Sequence, residues 1–272
     1  MCRKVIAVTL IVLFAATLPA CMAYHTKKTK KKQIAATYYD LGIGYLGEEN
    51  YQAALVQLRK AQALNPKDAR IDNALGLVHF YTKRYREAEK SYRKALSIRP
   101  GYSEARMNLG TLFAGENRCP DAVKEFRKVL KDPYYGTPAL ALQNIGLCQQ
   151  LMGQPEQAET SLKRALSLDP LLLSASFDLW KFYYRSNRMG EAIRVLTEAL
   201  DRYTKMQRPE ETNSDKQRKK DKDLANIHYG LGLSYFKNAD GKNALEHFRA
   251  ALNLSPDSTL KEDARKYIDL LE

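Results

Sequence analysis

Histidine is scarce in this chain, four in 272 residues, and His25, His79, His228 and His247 share no spacing that would gather them around a metal. Neither a Ser-His-Asp nor a Cys-His set stands in recognisable context, and no carboxylate pair forms an acid–base dyad. The sequence therefore predicts no enzyme, no cofactor and no metal site. A long apolar run is also missing: the stretch from Val5 to Leu18 falls short of the roughly 20 residues that a membrane helix needs. Beyond Cys2 and Cys21, only Cys119 and Cys148 remain. The formal charge of +13 lacks a concentrated basic face, because Arg3, Lys4, the lysines from Lys27 to Lys32 and the stretch Thr204 to Asp223 hold most of the excess. That distribution argues against nucleic acid as a partner. Gly42-Ile43-Gly44-Tyr45-Leu46-Gly47 spells a dinucleotide fingerprint, yet no strand precedes it to form the phosphate cradle.

What is abundant is repetition. Leu41-Gly42, Leu75-Gly76, Leu109-Gly110 and Leu231-Gly232 recur, with Ile145-Gly146 as a variant, and the first three copies are spaced by 34 residues. Numbering each copy from six residues before that Leu or Ile puts Gly at slot 8, a large residue at slot 11, Ala at slot 20, a large apolar residue at slot 24 and Pro near slot 32. The first copy supplies Tyr45, Ala54, Leu58 and Pro66. Small residues at slots 8 and 20 let two helices cross closely, and Pro ends the second helix because it has no N–H to continue the ladder. This pattern resembles the tetratricopeptide repeat, a helix-turn-helix unit that must stack on neighbours to bury its apolar face.

The expected fold is all-α, a right-handed superhelix of about six such repeats closed by a capping helix. The copies fall at 35–68, 69–102, 103–138, 139–172, 173–203 and 225–258, with the cap at 259–272. The fifth copy is atypical, with Trp180 at the Gly slot and no closing Pro, so its helix crossing must differ. A charged insert at 204–224 reads as an exposed loop or a lengthened helix. Cys119 opens the second helix of the third copy, and Cys148 lies late in the first helix of the fourth. Antiparallel helices bring both to one axial end, so a disulfide is expected.

The amino terminus reads as a signal segment over 1–20: Arg3 and Lys4, an apolar run, then Leu18-Pro19-Ala20-Cys21. Leu-Pro-Ala-Cys resembles the bacterial lipobox, which implies lipidation of Cys21. With Met22 following, it implies sorting to the outer membrane facing the periplasm. Residues 21–34 would then be a basic tether, read first as a solvated spacer. In the stacked array, slots 5, 9 and 12 of each first helix share one face and point into the groove. That face carries Tyr39, Ile43 and Leu46, then Asn73, Leu77 and Phe80, then Met107 and Thr111, then Gln143 and Leu147. An apolar stripe with a few amides suits a partner segment with apolar anchors.

The lipobox, the tether, six repeats, and the segments YYDLGIGYLGEENYQAALVQLRKAQALNP and QNIGLCQQLMGQPEQAETSLKRALSLDP together resemble the type IV pilus biogenesis pilotin lipoproteins. The two-residue expansion within KDPYYGTPALALQNIGLC and the cysteine pair are similar to features of that family. The resemblance implies a non-enzymatic factor, anchored in the membrane through Cys21, that binds the outer-membrane secretin and promotes its localisation and multimerisation. An adaptor for cell-envelope enzymes such as peptidoglycan hydrolases, or a subunit of outer-membrane protein insertion machinery, would use the same scaffold. Trp180 and the insert depart from the family pattern.

Overall fold

The repeat pattern demands antiparallel helix pairs, and a computed structural model, which describes residues 28–205 and 214–272, contains thirteen helices and no strand among those residues. Helix α1 covers 28–47. There follow α2 (Tyr51–Leu64), α3 (Ala69–Tyr81), α4 (Tyr85–Ile98) and α5 (Ser103–Gly115). Next come α6 (Cys119–Val129), α7 (Pro138–Leu151), α8 (Pro155–Leu168), α9 (Leu173–Arg185) and α10 (Met189–Lys205). The chain ends with α11 (Ser214–Lys237), α12 (Gly241–Leu254) and α13 (Ser258–Leu271). They form two compact units divided between Glu116 and Asn117. The signal segment and Cys21 lie outside the described residues.

In four of the pairs the slot-8 glycine meets the large residue of slot 24. A Cβ on Gly42 would stand 2.7 Å from the Leu58 side chain, and one on Gly76 would stand 2.4 Å from the Tyr92 ring. In the second unit Gly146 faces Leu162 at 2.8 Å, and Gly232 faces Phe248 at 2.7 Å. These partners are fully buried, as are the slot-20 residues Ala54, Ala88, Ala158 and Ala244. Slot 7 packs towards the preceding pair: Leu75, Leu109 and Ile145 are buried, whereas Leu41, with no earlier described pair before it, is 47% exposed.

A shared turn joins the two helices of every copy. Slot 15 is left-handed in all six, at Glu49, Lys83, Asn117, Gly153, Asn187 and Ala239, and only one of these is glycine. In five of the copies the following N–H closes the helix end in Schellman fashion, as from Asn50 to the Tyr45 carbonyl at 2.8 Å and from Asp240 to the Tyr235 carbonyl at 2.9 Å. The left-handed conformation costs a residue with a Cβ about 1–2 kcal/mol. Ala239→Gly is therefore expected to raise thermal stability by a few degrees, read by a melting curve, with no change in helix content.

Copy five shows what happens without the usual residues. No Pro closes it, and α10 runs on to Lys205. Trp180 cannot sit in the helix crossing and turns towards the next first helix, where its Nε1–H donates to Ser234 Oγ at 2.8 Å. Close approach moves to Gly230 of α11, where a Cβ would stand 2.6 Å from Leu196. Cap α13 covers the last pair as its apolar spacing predicts: Ala264 and Ile268 pack with Ala244 and Phe248, and the Tyr267 ring stacks on Phe248 at 4.7 Å.

One sequence expectation needs correction, and one open choice is resolved. The basic tether was expected to be an extended spacer through residue 34, but from Lys28 onward it is helical and continuous with α1. Lys, Gln, Ile and Ala favour or tolerate helix there, and no Gly or Pro interrupts them. Of the two readings of the insert, the lengthened helix holds from Ser214 onward, where it adds turns to the start of α11. Residues 206–213 lie outside the described residues.

Candidate partner-binding surface

Helices α1, α3 and α5 present the slots expected to face a partner in the first unit. Ile43 is 38% exposed, and Thr111 is exposed. Tyr39, Leu46, Leu77, Phe80 and Met107 are half-buried, each with apolar surface left in solvent. Tyr39 and Leu46 rest against the core formed by Leu58, Ile71 and Leu75, which fixes the inner side of each chain. In the second unit Leu147 is likewise half-buried.

Asn73 and Gln143 behave otherwise. Asn73 is buried, and its Oδ1 accepts from Asn108 Nδ2 at 2.9 Å. Gln143 is buried too, donating to Asp178 and accepting from Ser174 Oγ at 3.0 Å. These amides tie one first helix to the next and have no face left for a partner. Their assignment as groove contacts is corrected: a buried amide must satisfy its polar atoms within the protein, and the neighbouring helix does so.

The sequence reading also missed an aromatic cluster beside Phe80. The Tyr51 and Tyr81 rings stack at 5.5 Å, Phe80 meets Tyr81 edge-on at 5.7 Å, and Tyr85 lies 6.0 Å from Phe80. Tyr81 and Tyr85 are 51% and 40% exposed, so the cluster widens the apolar surface. Tyr at slot 17 in both of the first two copies was the available signal.

Cys119 and Cys148, the pair expected to bridge, are free, buried thiols in this structure. They do lie together: burial first, and then the neighbouring Cys119 thiol, push the Cys148 thiol up to about 12. Only a thiolate attacks efficiently, so burial keeps this pair reduced until an oxidant reaches it.

Histidines with no motif in sequence meet in space. His228 Nδ1 and His247 Nδ1 are 2.9 Å apart, and the Tyr235 ring stacks on His247 at 5.4 Å. Burial lowers both pKa values, and for His228 the facing His247 lowers it further, while Glu246 opposes the shift in both. A depressed folded pKa gives stability that is complete above the free imidazole value of 6.5 and is lost as pH falls through the lowered values. The melting temperature is thus expected to drop between neutral pH and pH about 5, and His247→Gln to flatten that slope. His79 simply fills slot 11, buried and held neutral by burial.

Family profiles described as Tetratricopeptide repeat match residues 39–103, 79–135, 139–170 and 225–258, together more than half of the chain. The chain belongs to the tetratricopeptide repeat family. No curated protein sequence matches it. Among solved structures it is similar to PilW, a widely conserved type IV pilus biogenesis factor, with TM-score 0.68 and 24% identity over 86% of this chain and 99% of that one. It is also similar to Pseudomonas aeruginosa PilF, with TM-score 0.64 and 20% identity over 87% and 99% of the two chains. A third, YrrB, is a tetratricopeptide protein with an unusual peptide-binding site, at TM-score 0.51 and 20% identity over 77% of this chain and 97% of that one. At these identities the likeness is one of fold. Tetratricopeptide arrays are typically protein-interaction scaffolds rather than catalytic ones, and the surface above is of that kind.

Proposed function

We propose that this chain is an outer-membrane lipoprotein that holds segments of the type IV pilus secretin and promotes assembly of the multimeric pore. The observation that carries the reading is the apolar stripe of Ile43, Leu46, Leu77, Phe80 and Met107. It lies on the first helices of a repeat array and is left partly in solvent. Apolar surface gathered on one face marks an interaction site, and a segment with apolar anchors at helical or strand spacing would bury it. The likeness of fold to PilW and PilF over most of the chain supports a pilus partner. In this scheme lipid on Cys21 anchors the molecule, and the array keeps secretin segments from aggregating before they join.

Crosslinking in intact envelopes followed by affinity purification tests the reading. Recovery of the secretin supports it; recovery of peptidoglycan hydrolases instead would transfer the surface to an adaptor role. Export also bears on the cysteines. In an oxidising compartment Cys119 and Cys148 are expected to close into a disulfide, adding about 3 kcal/mol by the chain-entropy account. Intact mass of the protein taken from envelopes should rise by two hydrogens on reduction, and an unchanged mass would refute the bond.

A further inference from the structure

A basic hollow of about 680 Å³ lies in the first unit. Lys28, Lys31 and Lys32 of α1, Lys67 and Arg70 around the start of α3, and Arg99 after α4 line it. The three α1 lysines recur at helical spacing, so one face presents them together. Asp68 is the one carboxylate in the lining, and it is already engaged. Arg70 donates to it from Nε at 3.0 Å and from Nη2 at 2.7 Å. That pairing holds the Asp68 carboxyl below its usual range.

Both arginines are positioned in advance. The Arg70 guanidinium lies 5.1 Å from the centroid of the Tyr39 ring, and that of Arg99 lies 3.5 Å from the centroid of Tyr102. The start of α3 opens into the same hollow and adds the positive end of its dipole. Leu64, Pro66 and Ile98 supply an apolar floor. None of the four lysines is ion-paired among the described residues, so their charge is available to a ligand.

We propose that this hollow receives the phosphate headgroup of an anionic phospholipid. The choice of lipid over free phosphate rests on the lipid-anchored reading above. Extended chain from Cys21 to Lys28 spans at most about 25 Å, so an anchored molecule keeps the hollow within reach of the bilayer surface. Headgroup capture then sets the orientation of the array on the membrane, which a flexible spacer would leave free.

The test uses unlipidated chain from Met22, which keeps all thirteen described helices, and vesicles of phosphatidylcholine alone or mixed equally with phosphatidylglycerol. Binding is expected to the mixed vesicles only, weakening as salt screens the charges. Lys31→Glu, Lys32→Glu and Lys67→Glu combined should reduce partition by at least about 100-fold, since each cation near an anionic surface counts for roughly fivefold. Lys219→Glu, Lys220→Glu and Lys222→Glu on α11 alter formal charge equally and should leave binding within about threefold, well inside the per-residue effect. Equal losses in both triples would overturn the site, because they would mean attraction by net charge alone. Calorimetric binding of inorganic pyrophosphate without vesicle binding would overturn the lipid assignment. Mass analysis of Cys21 in the native protein reads the anchor separately, so failure of the anchor and failure of the hollow give different results.

Discussion

Replacing Leu77 and Phe80 together by aspartate is expected to weaken secretin binding by more than about 100-fold and to abolish secretin multimers in envelopes, while far-UV circular dichroism stays that of the parent. Two apolar anchors at the centre of a contact contribute about 2 kcal/mol or more apiece, and a buried carboxylate adds a desolvation cost. The fold tolerates the change because both side chains are half-buried and each keeps one side in solvent. Leu75, two positions away and fully buried, is the contrasting site where aspartate would unfold the unit. Asn73→Ala separates packing from recognition. It removes the hydrogen bond to Asn108 and should lower stability by about 1 kcal/mol without a comparable loss of binding. Normal multimer levels in the double aspartate variant would remove the stripe from the binding site.

The second large effect concerns how the repeats pack. Gly76→Ala should destabilise the first unit by about 1–3 kcal/mol, because its Cβ would lie 2.4 Å from a ring that is itself fully buried and has nowhere to move. Tyr92→Ala alone should cost about 3–5 kcal/mol through the cavity it leaves. In that cavity the Gly76→Ala methyl has room, so the two changes together should cost no more than Tyr92→Ala alone. Denaturant titration of the four proteins gives the coupling directly. Additive losses would show that slots 8 and 24 do not meet as described.

Much of this was legible in the sequence, for a physical reason that differs between slots. A crossing that admits only glycine leaves its mark at Gly42, Gly76, Gly146 and Gly232, and a helix that must stop leaves Pro66, Pro100, Pro170 and Pro256. The left-handed turn was half legible: Gly153, Asn117 and Asn187 favour it, whereas Glu49, Lys83 and Ala239 adopt it at a cost and carry no such signal. Groove slots were half legible. Helical spacing places Asn73 and Gln143 on the same face as Leu77 and Leu147, but only coordinates show that Asn108 and Asp178 of the neighbouring helices take up their amides. The departure at Trp180 was readable, whereas its compensation by Ser234 and Gly230 depended on contacts more than a repeat away in sequence. Charge misled at Lys28 to Lys32, where repulsion suggested extended chain and helix propensity prevailed.

Site-specific photocrosslinking in intact cells tests the central claim most directly. A photoreactive residue at Leu77 should capture the secretin, while one at exposed Lys90 on α4 should not. Capture at both positions alike, or at Lys90 alone, would contradict the assignment of the apolar stripe as the surface that holds the partner.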